Sequence, residues 1–524
     1  MTKSSRRIVA ACAVLAMIAV PAAANADSAT ASGLGTDLDT LLANSELTGA
    51  NVGLVVLDAD TGATVYSKLG DNLLLPASNE KLVTSAAAMS VLGPAYTFTT
   101  TVSRTGTVSG STLTGNLYLK GTGDPTMLYS DYQALAAKVA AAGITTVSGD
   151  LVADDTYFDS VRLGPAWSWD DEPYSYDAQI SALTVAPTTS YDSGSVYVTV
   201  KPGTQGQAPT VTLTPPNSYV TIANTATTGA SGTGSSISIN RPHGSNTITV
   251  SGSIPVGGAA AGAELAVDNP TAYVASLFRQ ALAADGVQVT GGTTYAATPY
   301  TATQLTSHSS MPLTQMLVPF LKLSNNMMAE ALTKAAGRKV SNKGTFAAGV
   351  SALETAFSSF GIDYHAVKQV DGSGLSRMDL VTPDQLAQLL VKARSQSWFQ
   401  TWYDALPIAG NPDPLVGGTL ASRMVGTAAA NNVHAKTGSE TGVSALSGYV
   451  TAADGEHLVF ALEENDFLPS SVKNVEDAVA VRLANYDGTA DTAHQRLRLP
   501  TEKATPFPVN DPRTALECSW THTC

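Results

Sequence analysis

Two short apolar runs near the start, at 51–57 and 64–66, flank the turn residues Asp58, Asp60, Thr61 and Gly62, which predicts a β-hairpin. A second hairpin is predicted near the end, where the runs 446–450 and 457–462 flank Asp454 and Gly455. Between these ends the periodicity changes twice. Residues 82–92 and 313–336 carry Ala, Leu and Met at helical spacing, with Gly93 and Gly337 as the expected stops. Residues 98–300 are instead rich in Thr, Val, Ser and Gly, in short alternating runs such as 116–119, 195–200 and 247–250. That texture predicts one or two inserted β-rich modules, with the Gly/Ser/Thr stretch 227–236 as a loop tip.

The N-terminus follows another pattern. Lys3, Arg6 and Arg7 precede thirteen apolar residues, 8–20, and then Ala24-Asn25-Ala26. A basic start, a short apolar core and an A-x-A site are the marks of an export signal, so 1–26 is read as a signal peptide cleaved after Ala26. Crossing a bilayer takes about 20 apolar residues, and no run in the chain is long enough to predict a transmembrane anchor. Export leaves Cys518 and Cys524 of the three cysteines, and their closeness suggests a small local disulfide. A metal reading is poor, since there is no Cys-x-x-Cys and the seven histidines are scattered. Residues 501–524, with Pro506, Pro508 and Pro512 and no periodicity, read as a tail.

Composition narrows the partners. At 44% hydrophobic residues the chain can bury a sizeable core, and 524 residues suggest about three domains. Only 14% are charged and the net charge is −14, becoming more negative once Lys3, Arg6 and Arg7 leave. Such an acidic surface argues against nucleic acid or anionic membrane as a partner.

Candidate chemistry begins at Ser78-Asn79-Glu80-Lys81, at the start of the first Ala-rich helix. On a helix, positions i and i+3 share a face, which sets Lys81 beside the Ser78 hydroxyl. A serine needs a neighbouring base to become a nucleophile, and a lysine can be that base when burial or a second cation lowers its pKa. Alone the motif is weak: Ser470-Ser471-Val472-Lys473 matches it too, and Ser78 could be an ordinary N-cap with Glu80 and Lys81 solvated. Ser324-Asn325-Asn326, before a second helix, could likewise be a capping serine, and Ser238-Ile239-Asn240 is another match. Lys436-Thr437-Gly438, followed by Ser439, is rarer and occurs once. The three in this order, two at helix starts and one at a strand end, make coincidence a poor explanation.

The set resembles the penicillin-recognising serine acyltransferases, and within them the type-4 penicillin-binding proteins, the D-alanyl-D-alanine carboxypeptidase/endopeptidase family. Supporting segments are Leu119-Lys120-Gly121-Thr122-Gly123-Asp124-Pro125, Asp371-Gly372-Ser373-Gly374-Leu375-Ser376-Arg377, Leu406-Pro407-Ile408-Ala409-Gly410 and Ser447-Gly448-Tyr449-Val450. The 242 residues between Lys81 and Ser324 fit a family marked by large domains inserted there. The resemblance implies an α+β fold: a transpeptidase/β-lactamase-like domain, an antiparallel sheet covered by helices, split by a large β-rich insertion. The expected division is 27–98 with 308–500 for that domain and 99–307 for the insertion.

The resemblance further implies catalytic roles for Ser78, Lys81, Ser324, Asn326 and Lys436, substrate binding by Thr437, Gly438 and Ser439, and no metal or cofactor. The substrates would be peptidoglycan stem peptides ending in D-Ala-D-Ala, with β-lactams as covalent inhibitors, outside the cytoplasm. Arg377 is expected to read the stem-peptide side chain, with Trp167-Ser168-Trp169-Asp170-Asp171 as a wall and Glu440 attracting its ammonium; for the tryptophans, inter-domain packing is an equal reading. Three alternatives stand beside this. One is a β-lactamase, although no Glu-x-x-Leu-Asn segment is present. The others are an esterase on the same scaffold and a non-catalytic wall-binding protein, against which the intact nucleophile–base pair argues.

Overall fold

The computed structural model describes residues 32–363 and 367–488. The export signal, the tail and the Cys518–Cys524 pair lie outside the described residues. Both predicted hairpins form, and they meet. A five-stranded antiparallel sheet runs in the order Thr64–Lys68, Asn51–Asp58, His457–Asn465, Val443–Thr451, His434–Glu440. Its three inner strands are buried at nearly every position because both faces are covered. Leu54, Val56, Leu446 and Phe460 point at the helices Ser32–Leu42 and Lys473–Ala484, while Val55, Leu57, Val459 and Ala461 point at Glu80–Val91, Asn326–Ser341 and Pro383–Ala393. Alternate residues of a strand face opposite sides, so a strand buried on both sides loses its alternation.

The helical run 313–336 divides into Leu313–Lys322 and Asn326–Ser341, with Ser324 at the joint in a left-handed backbone conformation (φ 57°). Gly337 is not a stop. It lies inside the second helix, where a Cβ would stand 2.6 Å from the Gly349 nitrogen of the neighbouring helix Phe346–Ser359. Its role is close helix packing, and Asn342, also left-handed, ends the helix instead.

Between Val91 and Leu313 the chain builds further sheets. Thr99–Arg104 pairs antiparallel with Thr303–Ser309, so the excursion leaves and returns side by side. These strands belong to a five-stranded sheet with Leu117–Gly121, Leu151–Asp154 and Thr293–Tyr295. It shares a core with two helices, Tyr129–Ala141 and Pro270–Ala284, that the strand-rich texture did not predict. Smaller sheets follow within it: one joins Ser195–Lys201 to Thr210–Thr214 and Ala261–Ala266, and another joins Thr247–Ser251 to Thr221–Asn224 and Ser238–Asn240. No helix among the described residues is long and apolar enough to cross a membrane.

Candidate active site

Ser78 is not a capping serine. Ala77, with φ 44°, turns the chain after Pro76 into the short 3₁₀ turn Ala77–Asn79, from which the helix Glu80–Val91 continues. Lys81 Nζ lies 2.7 Å from Ser78 Oγ and donates to the Ser373 carbonyl at 2.8 Å. Neither Lys81 nor Glu80 is solvated; both are fully buried.

The lid over this turn is the loop 371–377. Asp371 organises it by accepting from the backbone nitrogens of Ser373, Gly374 and Ser376 at 3.1, 2.8 and 2.8 Å. Glu330, from the helix Asn326–Ser341, accepts from Gly372 N and from Ser373 N, the latter at 2.8 Å. The loop comes so close that a Cβ on Gly374 (φ 77°) would stand 1.9 Å from the Ala77 carbonyl oxygen, which only glycine permits. Buried acids crowd this underside. Burial, with the charges of Asp371 and Glu330, drives the Glu80 carboxyl well above its ordinary range, Lys81 opposing. Burial likewise pushes Glu330 up to about 8, against the hydrogen bonds it accepts.

The opposite wall is the edge strand His434–Glu440. Lys436 Nζ lies 2.8 Å from Ser324 Oγ and donates to the Thr437 carbonyl at 2.8 Å. Gly438 faces the Ser78 turn, and a Cβ there would sit 2.8 Å from the Pro76 carbonyl oxygen and 3.0 Å from Asn79 Nδ2. Thr437 Oγ1 is 2.8 Å from Thr419 Oγ1, whereas Ser439 Oγ is buried with no hydrogen-bond partner among the described residues. Lys322 ties the two sides together. It is buried at the end of the helix before Ser324 and donates to the Leu406 carbonyl, while Pro407 accepts from Ala435 N at the base of the Lys436 strand. Burial lowers the Lys322 amine to about 8.

All three motifs therefore converge. Asn325, not Ser324, caps the helix, accepting from Met328 N at 2.8 Å. Asn326 is buried, and one of its amide hydrogens goes to the Tyr176 carbonyl at 2.8 Å. Arg377 Nη1 donates to Glu440 Oε2 at 3.2 Å and to the Thr441 carbonyl at 3.1 Å. An ammonium drawn to Glu440 would have to compete with that guanidinium. Trp167 packs: its Nε1 donates to Asp371 at 2.8 Å and its ring meets Phe346 edge-on at 6.2 Å. Trp169 is 70% exposed and stacks on His243 at 4.5 Å. Sequence reasoning missed Ser373, Glu330 and Thr419. Ser373 lies in a quoted motif and Glu330 just beyond one, but Thr419 carries no signal.

A serine held by a lysine three positions on, beside a second serine–lysine pair at the edge strand of a helix-covered antiparallel sheet, is an arrangement that suits a serine hydrolase without a histidine base. The chain belongs to the D-Ala-D-Ala carboxypeptidase 3 (S13) family, whose model matches residues 34–486. It is 45% identical, over 97% of its length and 93% of the relative's, to a D-alanyl-D-alanine carboxypeptidase of an Actinomadura species. It is 27% identical to the D-alanyl-D-alanine carboxypeptidase DacB of Haemophilus influenzae, over 79% of this chain and 85% of that one. The crystal structure of penicillin-binding protein 4 from Haemophilus influenzae superposes with a TM-score of 0.73 at 25% identity, covering 85% of this chain and 97% of that one. The protein is thus an enzyme, a serine-type D-Ala-D-Ala carboxypeptidase with the transpeptidase-like fold.

Proposed function

We propose that the enzyme cuts the terminal D-Ala-D-Ala bond of peptidoglycan stem peptides through an acyl-enzyme on Ser78, and that β-lactams acylate and inhibit it there. The observation that carries this reading is the 2.7 Å approach of Lys81 Nζ to Ser78 Oγ in a buried turn. Lys81 takes the Ser78 proton as the hydroxyl attacks the carbonyl between the two D-alanines. The backbone N–H groups of Ser78 and Ser439 receive the oxyanion, a contribution of about 3–4 kcal/mol per donor. Ser324, aided by the charge of Lys436, passes the proton to the departing amine. Asn326 has a second amide hydrogen for the peptide side of the substrate. Thr437 and Ser439 hold the terminal carboxylate, and Ser439 Oγ, which has no partner among the described residues, supports that role. Gly438 keeps the strand close to the nucleophile. Water resolves the ester.

Arg377 reads the stem-peptide side chain from the cleft rim in the same proposal, with Glu440 as its resting partner. The catalytic domain is taken as 27–98 with 308–500 and the insertion as 99–307, and the protein is exported after loss of 1–26. The test is intact-mass spectrometry of the secreted chain with benzylpenicillin, beside Ser78→Ala. A one-to-one mass gain absent from the variant, on a chain starting at Asp27, is expected. Penicillin destroyed without an adduct would mean a β-lactamase, and penicillin left intact without one an esterase or a binding protein.

A further inference from the structure

The three residues of the Ser324 turn send their side chains in different directions. Ser324 meets Lys436 in the site. The other two are held by the inserted region. Asn325 Nδ2 donates to the Ser190 carbonyl at 3.0 Å and lies 3.3 Å from Asp192 Oδ1, and Asn326 Nδ2 donates to the Tyr176 carbonyl at 2.8 Å. Both grips hang from one small sheet. Ser195, which opens the strand Ser195–Lys201, has its Oγ 2.5 Å from the Asp192 carbonyl oxygen and 2.6 Å from Glu264 Oε1 on Ala261–Ala266. Leu265 and Ala266 of that second strand bridge to the segment before Tyr176, through Tyr174 and the Pro173 carbonyl.

The turn needs such support. Ser324 adopts a left-handed conformation unusual for a residue with a side chain. Within its own helices the turn is held by backbone bonds from Ser324 N to Leu321 O at 3.4 Å and from Asn325 N to Phe320 O at 3.0 Å. We infer that the inserted region is a working part of the catalytic centre: Asp192, with the Ser190 and Tyr176 carbonyls, positions the Ser324-Asn325-Asn326 turn through Asn325 and Asn326, so that Ser324 stands at Lys436. This rests on the acyl-transfer reading above. Asn325 and Asp192 act through Ser324 and are positioning residues.

Asn325 does two separable things, because its Oδ1 caps the helix and its Nδ2 faces the insert. Asn325→Asp keeps a capping oxygen, removes the donor and sets a second carboxylate against Asp192. The experiment compares wild type, Asn325→Asp and the double variant Asn325→Asp/Asp192→Asn for melting temperature and for the second-order rate of acylation by benzylpenicillin. Asn325→Asp should melt below wild type yet remain folded at the assay temperature, and acylate about ten- to a hundredfold more slowly, the range expected when a reacting group is misplaced by an ångström or less. The double variant restores a donor–acceptor pair with reversed polarity and should recover part of the rate. A wild-type rate in Asn325→Asp overturns the inference, as does a slow single variant that the double does not improve. Should Asn325→Asp fail to fold, Asp192→Ala decides instead: slower acylation supports the inference and an unchanged rate overturns it. Failure of wild type itself to acylate would strike the acyl-enzyme reading, a different outcome from any of these.

Discussion

Glu440 makes the stability of this enzyme pH-dependent in a way one substitution can isolate. Its side chain is only 7% exposed. Oε2 accepts from Arg377 at 3.2 Å, and Oε1 is buried with no hydrogen-bond partner among the described residues. Burial raises the carboxyl from 4.5 to about 8, with Arg377 pulling the other way. A carboxyl with a raised folded pKa holds its proton where the unfolded chain has lost it. Its contribution to stability is therefore complete below about pH 4.5 and is lost as pH rises through about 8. At about 1.4 kcal/mol for each pH unit between 4.5 and 7, holding a proton that the unfolded chain has given up costs the fold about 3 kcal/mol at neutral pH, as an order of magnitude. Glu440→Gln keeps an acceptor for Arg377 and cannot ionise. Urea unfolding from pH 5 to 8.5 should show the variant close to wild type at the acid end and increasingly more stable above it, the difference levelling off past pH 8. Other buried acids such as Glu330 titrate in both proteins and drop out of the difference. Parallel stability curves for the two proteins would refute the reasoning, because they would mean that Glu440 ionises in the fold as easily as in water.

Two further outcomes follow from close approaches. Gly438→Ala places a methyl 2.8 Å from the Pro76 carbonyl oxygen, so the Lys436 strand must draw back from the Ser78 turn. Penicillin acylation should slow at least about tenfold while calorimetry shows a folded protein, and an unchanged acylation rate would mean the wall is free to shift. Glu330→Ala strips the carboxylate from the Gly372 and Ser373 N–H groups, with Asp371 still serving Ser373 at 3.1 Å. Only the Gly372 N–H then lacks an acceptor, so at about 1–3 kcal/mol for one such buried donor a loss of that size is expected in denaturant unfolding.

Chemistry and scaffold were legible in the chain to different degrees. The convergence of Ser78, Lys81, Ser324 and Lys436 could be anticipated because the three motifs stand in a set order, and the hairpins because turn residues separate apolar runs. The helix Tyr129–Ala141 was equally written, with Tyr132, Leu135, Ala136 and Val139 on one buried face, but a composition averaged over two hundred Thr- and Val-rich residues hides it. Gly337 misled for a different reason: a helix-stop residue and a helix-packing residue look alike until the partner helix is in place. Glu80 shows the limit most clearly. In a first helical turn an acid beside a lysine reads as solvated, and nothing within ten residues contradicts that. Its burial is made by chain some three hundred residues away, the loop 371–377 and the strand His434–Glu440 closing over the Ser78 turn. The same closure brings Ser373 to Lys81 and leaves Glu80 facing Glu330 and Asp371 in the interior. Motif spacing singles out which groups to examine, whereas the field those groups feel comes from segments distant in the chain, and it becomes readable only where the fold has brought them together.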